Sequence, residues 1–424
     1  MDVPSASERA VAAPPDVASV QRRTVALLAA VQVLGGMGVA IGITVSTLLA
    51  ANLAGASFAG LASSMGVVGA AVIAVPASRI MDRLGRRPGL AAAYCAAVAG
   101  AVLVVVAGTV HSFGLALAGL FLFGAGTTAN LQARYAAADL ALPERRATAL
   151  STVVWATTAG AVAGPNLAGP AGDLAARHGI PALAGPFAVS AVMFGLAGLL
   201  TVGFLRPDPL LLARSVLDGG LSVVRPRASV RSALGVIRSS PGALLGLGAV
   251  AAGQSVMVGI MSMTPVHMQH GGAPLRIVGF VISVHVAGMY ALSPVAGWLS
   301  DRYGRRPVIL AGALLQLAAC AVAGTAGEDP IQLGAALTLL GLGWSATLVA
   351  GSTLLGESVP VADRPSVQGT ADFVMGLAGA CAALLAGVVI GAGSYALLSI
   401  LGAIAVLPLL AAAARRPAPA GATG

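Results

Sequence analysis

Apolar runs of about twenty residues recur from residue 24 to residue 414, each closed by a short polar stretch. A helix rising 1.5 Å per residue needs about that length to cross the ~30 Å hydrocarbon core of a bilayer. Twelve helices are predicted. Six cover 24–50, 57–79, 89–110, 112–135, 148–170 and 181–205; six more cover 242–266, 277–299, 307–325, 331–355, 367–390 and 395–414. A polar, arginine-bearing linker, 206–240, divides the sets, and its residues 228–238 carry an apolar stripe that fits a short interfacial helix. The predicted organisation is a tail (1–23), a bundle (24–205), the linker, a second bundle (241–414) and a second tail (415–424). The expected fold class is an all-α polytopic membrane protein, with twelve transmembrane helices in two pseudo-symmetric six-helix bundles.

Composition sharpens that picture. Only 9% of the residues are charged and 57% are hydrophobic, against about 25% charged in a soluble chain. Abundant glycine and alanine suit helices packed closely in lipid. A membrane barrel would show shorter alternating segments with aromatic girdles, whereas aromatics are 4% here. The formal charge of +9 does not point to nucleic acid, because the positive residues lie in short loops and form no continuous basic face. All of the positive residues are arginines. Without lysine there is no P-loop, and so no ATP-driven pump of that type. Cys95, Cys320 and Cys381 fall far apart inside apolar runs and read as buried small residues. The stretch to Val20 has no signal-peptide core. No cofactor and no metal are expected.

The arginines also set orientation. With Arg22 and Arg23 on the cytoplasmic side, strict alternation places Arg83, Arg86, Arg87, Arg145, Arg146, Arg302, Arg305, Arg306, Arg364, Arg415 and Arg416 there too. Only Arg177 and Arg276 fall in outer loops. Both termini are therefore expected in the cytoplasm, by the positive-inside rule.

The halves are also related in sequence. Asp82-Arg83-Leu84-Gly85-Arg86-Arg87-Pro88 returns as Asp301-Arg302-Tyr303-Gly304-Arg305-Arg306-Pro307, an offset of 301 − 82 = 219. Asp139 and Arg146 are matched by Glu357 and Arg364 at an offset of 218. Internal repeats of this kind mark secondary transporters. Each glycine should make the tight turn that sets two helices side by side. The arginines can bind carboxylates or helix C-termini, or serve topology alone; the aspartates can accept from amides at a helix N-terminus.

The two loops, running from Ser78 to Arg87 and from Gly297 to Arg306, resemble the loop signature of the major facilitator superfamily, with Ser78 where the opening glycine is usual. The resemblance implies a cytoplasmic latch. Asp82 would dock near Gln368 at the start of the eleventh helix, and Arg86 would reach Asp139. Asp301, Arg305 and Glu357 would form a counterpart. Gly160, Gly164, Pro165 and Gly169 resemble the antiporter motif of proton-coupled drug exporters, with Ala168 in place of a glycine; an ordinary kinked helix is the alternative. Pro76-Ala77-Ser78, Ala137-Ala138-Asp139 and Gly164-Pro165-Asn166-Leu167 are similar to riboflavin-type transporters of the same superfamily.

Ionisable groups deep in a membrane are functional candidates by default. Asp372 is the first proton-site candidate and His285 the second; a structural partnership with neighbouring helices is the alternative for each. The resemblance implies that the first, fourth, seventh and tenth helices line the cavity. Gln32, Asn130, Gln254, His267 and Trp344 stand on or beside them, together with Gln132, Met257, Met261 and Met263. Neutral amides and methionines suit a moderately apolar substrate, and with Arg134 at the end of its helix a densely anionic one is not expected.

The expected function is a monomeric secondary transporter of the inner (cytoplasmic) membrane, moving a small organic molecule outward by alternating access, driven by protons. Its partners would be that substrate, protons and the lipid bilayer, with no nucleic acid. The alternative is an importer or facilitator of a vitamin-like solute such as riboflavin. A transport-dead scaffold or sensor is more remote, and no paired catalytic groups support an enzyme.

Overall fold

The computed structural model describes residues 16–54, 59–217, 229–273 and 275–415. Among these residues the regular structure is helical throughout. The first half holds α1 (Val17–Ala54), α2 (Ala59–Leu84), α3 (Arg86–Thr109), α4 (Phe113–Ala136), α5 (Arg146–Arg177) and α6 (Gly185–Phe204). The linker holds α7 (Pro209–Leu217) and α8 (Val230–Ser239). The second half holds α9 (Pro241–His270), α10 (Leu275–Tyr290), α11 (Ser293–Tyr303), α12 (Arg305–Thr325), α13 (Pro330–Glu357), α14 (Arg364–Ala392) and α15 (Tyr395–Ala414). Among the described residues, twelve spans are long and apolar enough to cross a membrane, with α10 and α11 sharing the eighth.

Several boundaries depart from the hydropathy reading by a turn or more, and three of the departures have a local reason. The first helix begins at Val17 and takes in Arg22 and Arg23, because the Asp16 carboxylate accepts from the amide of Ala18 and caps it. The fifth runs on to Arg177 as it leaves the apolar zone, and it ends just before Gly179, whose φ of 75° suits a glycine stop. The eighth is split after Tyr290, and α11 restarts with Pro294 in its first turn, where a missing N–H costs no bond.

Glycine conformation shapes both loop signatures. Gly85 alone separates α2 from α3, at φ 95° and ψ 175°; Gly304 alone separates α11 from α12, at φ 94° and ψ 164°. This region is open essentially to glycine only. Both turns lie at one end of the bundle, the signature face.

The two halves meet along two seams, α2 against α14 and α5 against α10 and α11. The seams show a reciprocal exchange. At one, a side chain on Gly369 would collide with Ser78; at the other, a side chain on Gly297 would collide with Ser151. Ser78 matches Gly297 at the repeat offset, and Ser151 matches Gly369. The glycine missing from the first signature is thus supplied by the partner helix. The linker helix α8 opens with a Ser229–Ser232 capping box and packs Ala233 and Ile237 against Leu355, Val359, Val367 and Ala371.

A buried charge network beneath a cavity between the halves

Arg86, fully buried, opens α3 directly after the Gly85 turn. Its guanidinium donates to both carboxylate oxygens of Asp139 (2.8 and 3.2 Å), to Oε1 of Gln132 (3.2 Å), and across the seam to Oε1 of Gln368 (2.5 Å). Gln132 passes the chain on: its Nε2 donates to Asp372 on α14 at 2.8 Å. Two further α4 residues reach the same carboxylate, Arg134 Nη2 at 2.7 Å and the Tyr135 hydroxyl at 3.3 Å. The Arg134 guanidinium also lies over the Tyr135 ring, 4.7 Å from its centre.

Asp372 therefore does not stand alone as a membrane carboxylate; it is ion-paired to a buried arginine of the other half. Hydropathy places Arg134 at a helix end, where arginines usually reach water. Here the end of α4 is enclosed by α14, so the side chain is 2% exposed. Such a pair holds only while both members keep their partner, because either charge left alone at that depth is costly.

The counterpart cluster around the second signature is more exposed. Arg305 donates to Glu357 (3.1 and 2.8 Å) and to Asp301 (2.8 Å), and it also reaches the carbonyls of Ser300 and Pro143. Asp301 crosses the seam to accept from the amides of Ala147 and Thr148 (3.0 and 2.8 Å) in the first turn of α5, where the helix dipole favours an anion. Arg146 approaches Glu357 at 3.8 Å, and Arg364 donates to the Gly356 carbonyl at 2.8 Å.

Asp82 does not meet Gln368 directly; a linker arginine bridges it to the turn just ahead of α14, the eleventh helix. Arg214 of α7 is that bridge, donating to the Asp82 carboxylate (2.9 Å), to the Asp82 backbone carbonyl (2.7 Å) and to the carbonyl of Ala362 (3.0 Å). Gln368, the expected partner, is held by Arg86 instead. At the start of α3 the anion is Asp208 of the linker, which accepts from the Arg87 amide at 2.7 Å. Arg83 and Arg302 are exposed; Arg302 lies over the rings of Trp298 and Tyr303 at 5.6 and 5.7 Å.

A cavity of about 320 Å³ lies between the halves, with Asp372 in its wall. It reaches along α2 from Ala71 to Ala62, three residues from the end of that helix remote from the signature face. Its wall is mainly apolar, including Ile43, Val67, Leu120, Phe123 and Met375, and its polar groups are Ser46, Thr127, Gln254 and Asp372. The first, second, fourth, seventh and eleventh spans supply the lining, so the expected tenth is replaced by the second and eleventh. The physical reason is closure at the signature face, which draws α2 and α14 together beneath the cavity.

Of the five residues expected in that cavity, Gln254 lines it. Trp344 stands behind, donating its indole N–H to Gln254 at 2.7 Å. Gln32 bonds Thr157 (2.8 Å), and Asn130 accepts from Tyr94 (3.0 Å), both within the first half. His267 lies at the remote end, bonded to the Gly327 carbonyl (2.6 Å) and stacked on Tyr395. His285 is buried against α13, bonded to the Leu337 carbonyl at 2.7 Å, and is not part of the cavity wall. Met257 is buried in the second-half core, and Met261 and Met263 pack against it.

In the antiporter-like stretch, a Cβ on Gly160 would sit 2.5 Å from the Met37 amide nitrogen. One on Gly164 would sit 2.5 Å from the Ala40 methyl. These two glycines bring α5 onto α1, whereas Gly169 faces nothing within 4 Å. The side chain of Pro165 lies outside the described residues, though α5 continues through that position. Among the described residues no group of three or more His, Cys, Asp or Glu could hold a metal ion.

Comparison with known proteins places this architecture. The family model of the Major Facilitator Superfamily matches residues 25–280 and 268–423. The MFS-type transporter YdeG of Bacillus subtilis, itself uncharacterised, is 40% identical over 97% of this chain and 96% of its own length. The riboflavin transporter RfnT of Brucella anthropi is 29% identical over 87% and 89%. In fold, the chain is similar to the human organic anion transporter TETRAN, with a TM-score of 0.71 at 18% identity over 93% of this chain and 99% of that one. It is also similar to FucP in the outward conformation, with a TM-score of 0.67 at 17% identity over 92% and 97%. Family model, relatives and fold agree, and the chain belongs to the Major Facilitator Superfamily.

Proposed function

We propose that this protein is a proton-coupled exporter of a small, mainly apolar organic molecule, working by alternating access in the cytoplasmic membrane. One observation carries the reading: a largely apolar cavity between the halves has, among the described residues, a single carboxylate, Asp372, in its wall. A carboxylic acid there can bind a proton from the cavity, and the neutral wall of Ser46, Thr127 and Gln254 offers hydrogen bonds without net charge. The arginine-rich signature face is the cytoplasmic one by the positive-inside rule, and both termini lie on that side. In this arrangement the cytoplasmic side is closed and the cavity reaches toward the exterior. The close approach of α5 to α1 through Gly160 and Gly164 supports antiport, and hence export.

Uptake of a vitamin-like solute is the second reading, favoured by the relationship to the riboflavin transporter. Cells lacking their own efflux pumps, loaded with cationic dyes, neutral antibiotics or riboflavin, separate the two. Export predicts a compound depleted only when the protein is made and restored by a protonophore. Protein-dependent accumulation of riboflavin or any other solute overturns export.

A further inference from the structure

We propose that Asp372 is the switch for the cytoplasmic closure as well as a proton site, so that one proton taken up from the cavity releases the two halves. The inference rests on the proton-coupled reading above and adds a mechanism to it. Among the described residues, four side-chain bonds at this level cross from the first half to the second: Arg86 to Gln368, and Gln132, Arg134 and Tyr135 to Asp372. Three of the four end on one carboxylate. The same carboxylate lines the cavity, whereas Arg134 does not.

Protonation opens the closure, and does more than loosen it, because it leaves a buried charge without its partner. The hydrogen-bonded network holds two arginines, Arg86 and Arg134, and two carboxylates, Asp139 and Asp372; a third buried arginine, Arg364, lies near Asp139 and Glu357 and donates to the Gly356 carbonyl. Asp139 is gripped by both arms of Arg86 and cannot serve Arg134. When Asp372 accepts a proton, Arg134 becomes a buried cation without an anion. Its Nε and Nη1 already lack hydrogen-bond partners. A cation in that position gains most by regaining water, which requires α4 and α14 to part. A neutral carboxyl also accepts more weakly from Gln132, whose other end holds Arg86, so the loss is transmitted to the first signature.

Among the described residues, the groups that meet Asp372 include no other carboxylate. From α4 it meets Gln132, Arg134 and Tyr135, and Arg86 of α3 and Tyr290 of α10 lie near the pair. From α2 and α9 the cavity residues Ala70, Ala71 and Gln254 are uncharged. On α13, Glu357 is engaged by Arg305 and Arg146, and Asp82 of α2 by Arg214. Asp363 sits in the turn ahead of α14. Arg231 and Arg238 of α8 are exposed, and α15 carries no charged residue.

The test is a distance measurement across the signature face. Leu84 and Tyr303, equivalent in the repeat and both about 60% exposed, are replaced by cysteine in a background whose three native cysteines are alanine. Both sites are spin-labelled, and the full-length protein is titrated with acid in lipid nanodiscs. Wild type should be closed at alkaline pH and populate a longer distance as pH falls. D372N should raise the long-to-short ratio at least about tenfold at neutral pH and abolish the pH response. R134Q/D372N, with no charge to strand, should return to the short distance at every pH, which also shows that the site still folds. A D372N distribution that overlays wild type at each pH overturns the proposal. So does a double variant as open as D372N. The measurement uses no substrate, so a pH-driven opening without proton-driven transport would sink the functional reading and leave the switch standing; the converse would sink the switch alone.

Discussion

Gly369 is the position where a single methyl group should change the balance of conformations most cleanly. A Cβ there would lie 3.0 Å from the carbonyl oxygen of Ala74 and overlap the Ser78 side chain. The carbonyl belongs to the α2 backbone and cannot move aside as a flexible side chain can. Overpacking of this kind costs about 1–3 kcal/mol. The cost falls only on the conformation in which α2 and α14 touch, because the contact is lost once the halves separate. At 1.4 kcal/mol per factor of ten, Gly369→Ala should raise the open-to-closed ratio at the signature face roughly 5- to 150-fold. Hydrogen–deuterium exchange reads this directly, as faster exchange of the amides in residues 74–84 and 364–372. A second arm checks the geometry: Ser78→Gly combined with Gly369→Ser reproduces the arrangement found at Gly297 and Ser151, and it should exchange like wild type. Wild-type exchange in Gly369→Ala, or exchange in the swap as fast as in Gly369→Ser alone, would refute the steric argument.

Three further outcomes follow from other parts of the structure. Arg86→Gln strands Asp139 in a buried site at about 3–5 kcal/mol, so thermal unfolding in detergent should fall sharply, and Arg86→Gln with Asp139→Asn should recover most of the loss. Gly160→Leu should likewise lower the unfolding temperature, by about 1–3 kcal/mol of overpacking against α1, whereas Gly169→Ala should stay within about 0.5 kcal/mol of wild type because it meets nothing. Arg214→Gln removes a clasp between the halves whose partners are about one-fifth exposed. The expected cost to the closed form is about 1 kcal/mol or less, seen as a change of up to about fivefold in the same exchange measurement, without loss of fold.

Much of this architecture is legible in the sequence because the bilayer restricts the choices. A membrane segment must satisfy its own backbone, so apolar runs translate into helices almost directly. The repeat offset matches Arg86 to Arg305 and Asp139 to Glu357, and the resemblance of the loops implies the pairs Arg86–Asp139 and Arg305–Glu357. What escapes is whatever depends on how helices face one another. Arg134 reads as a helix-end arginine, and only the docking of α14 over it makes it a buried partner of Asp372. Arg214 and Asp208 lie in a linker without motif or periodicity, yet they occupy the anion and cation positions around the first signature. The exchange of glycine and serine at 78, 297, 151 and 369 is visible in the repeat alignment, but it acquires meaning once α2 is known to meet α14. The cavity candidates fared worst. Polarity on a lining helix does not tell which way a side chain faces, because an amide in lipid finds a neighbouring helix as readily as a pocket, as Gln32 and Asn130 do.

The most direct test of the account is proton movement itself. Purified wild type and D372N are reconstituted in liposomes enclosing a pH-sensitive dye, and the exported compound identified in cells is added to one side. The account predicts substrate-evoked proton flux in wild type, in the direction opposite to the substrate, and none in D372N even where the variant still binds the compound. Equal flux in the two proteins, or substrate movement in wild type with no accompanying proton, would contradict it.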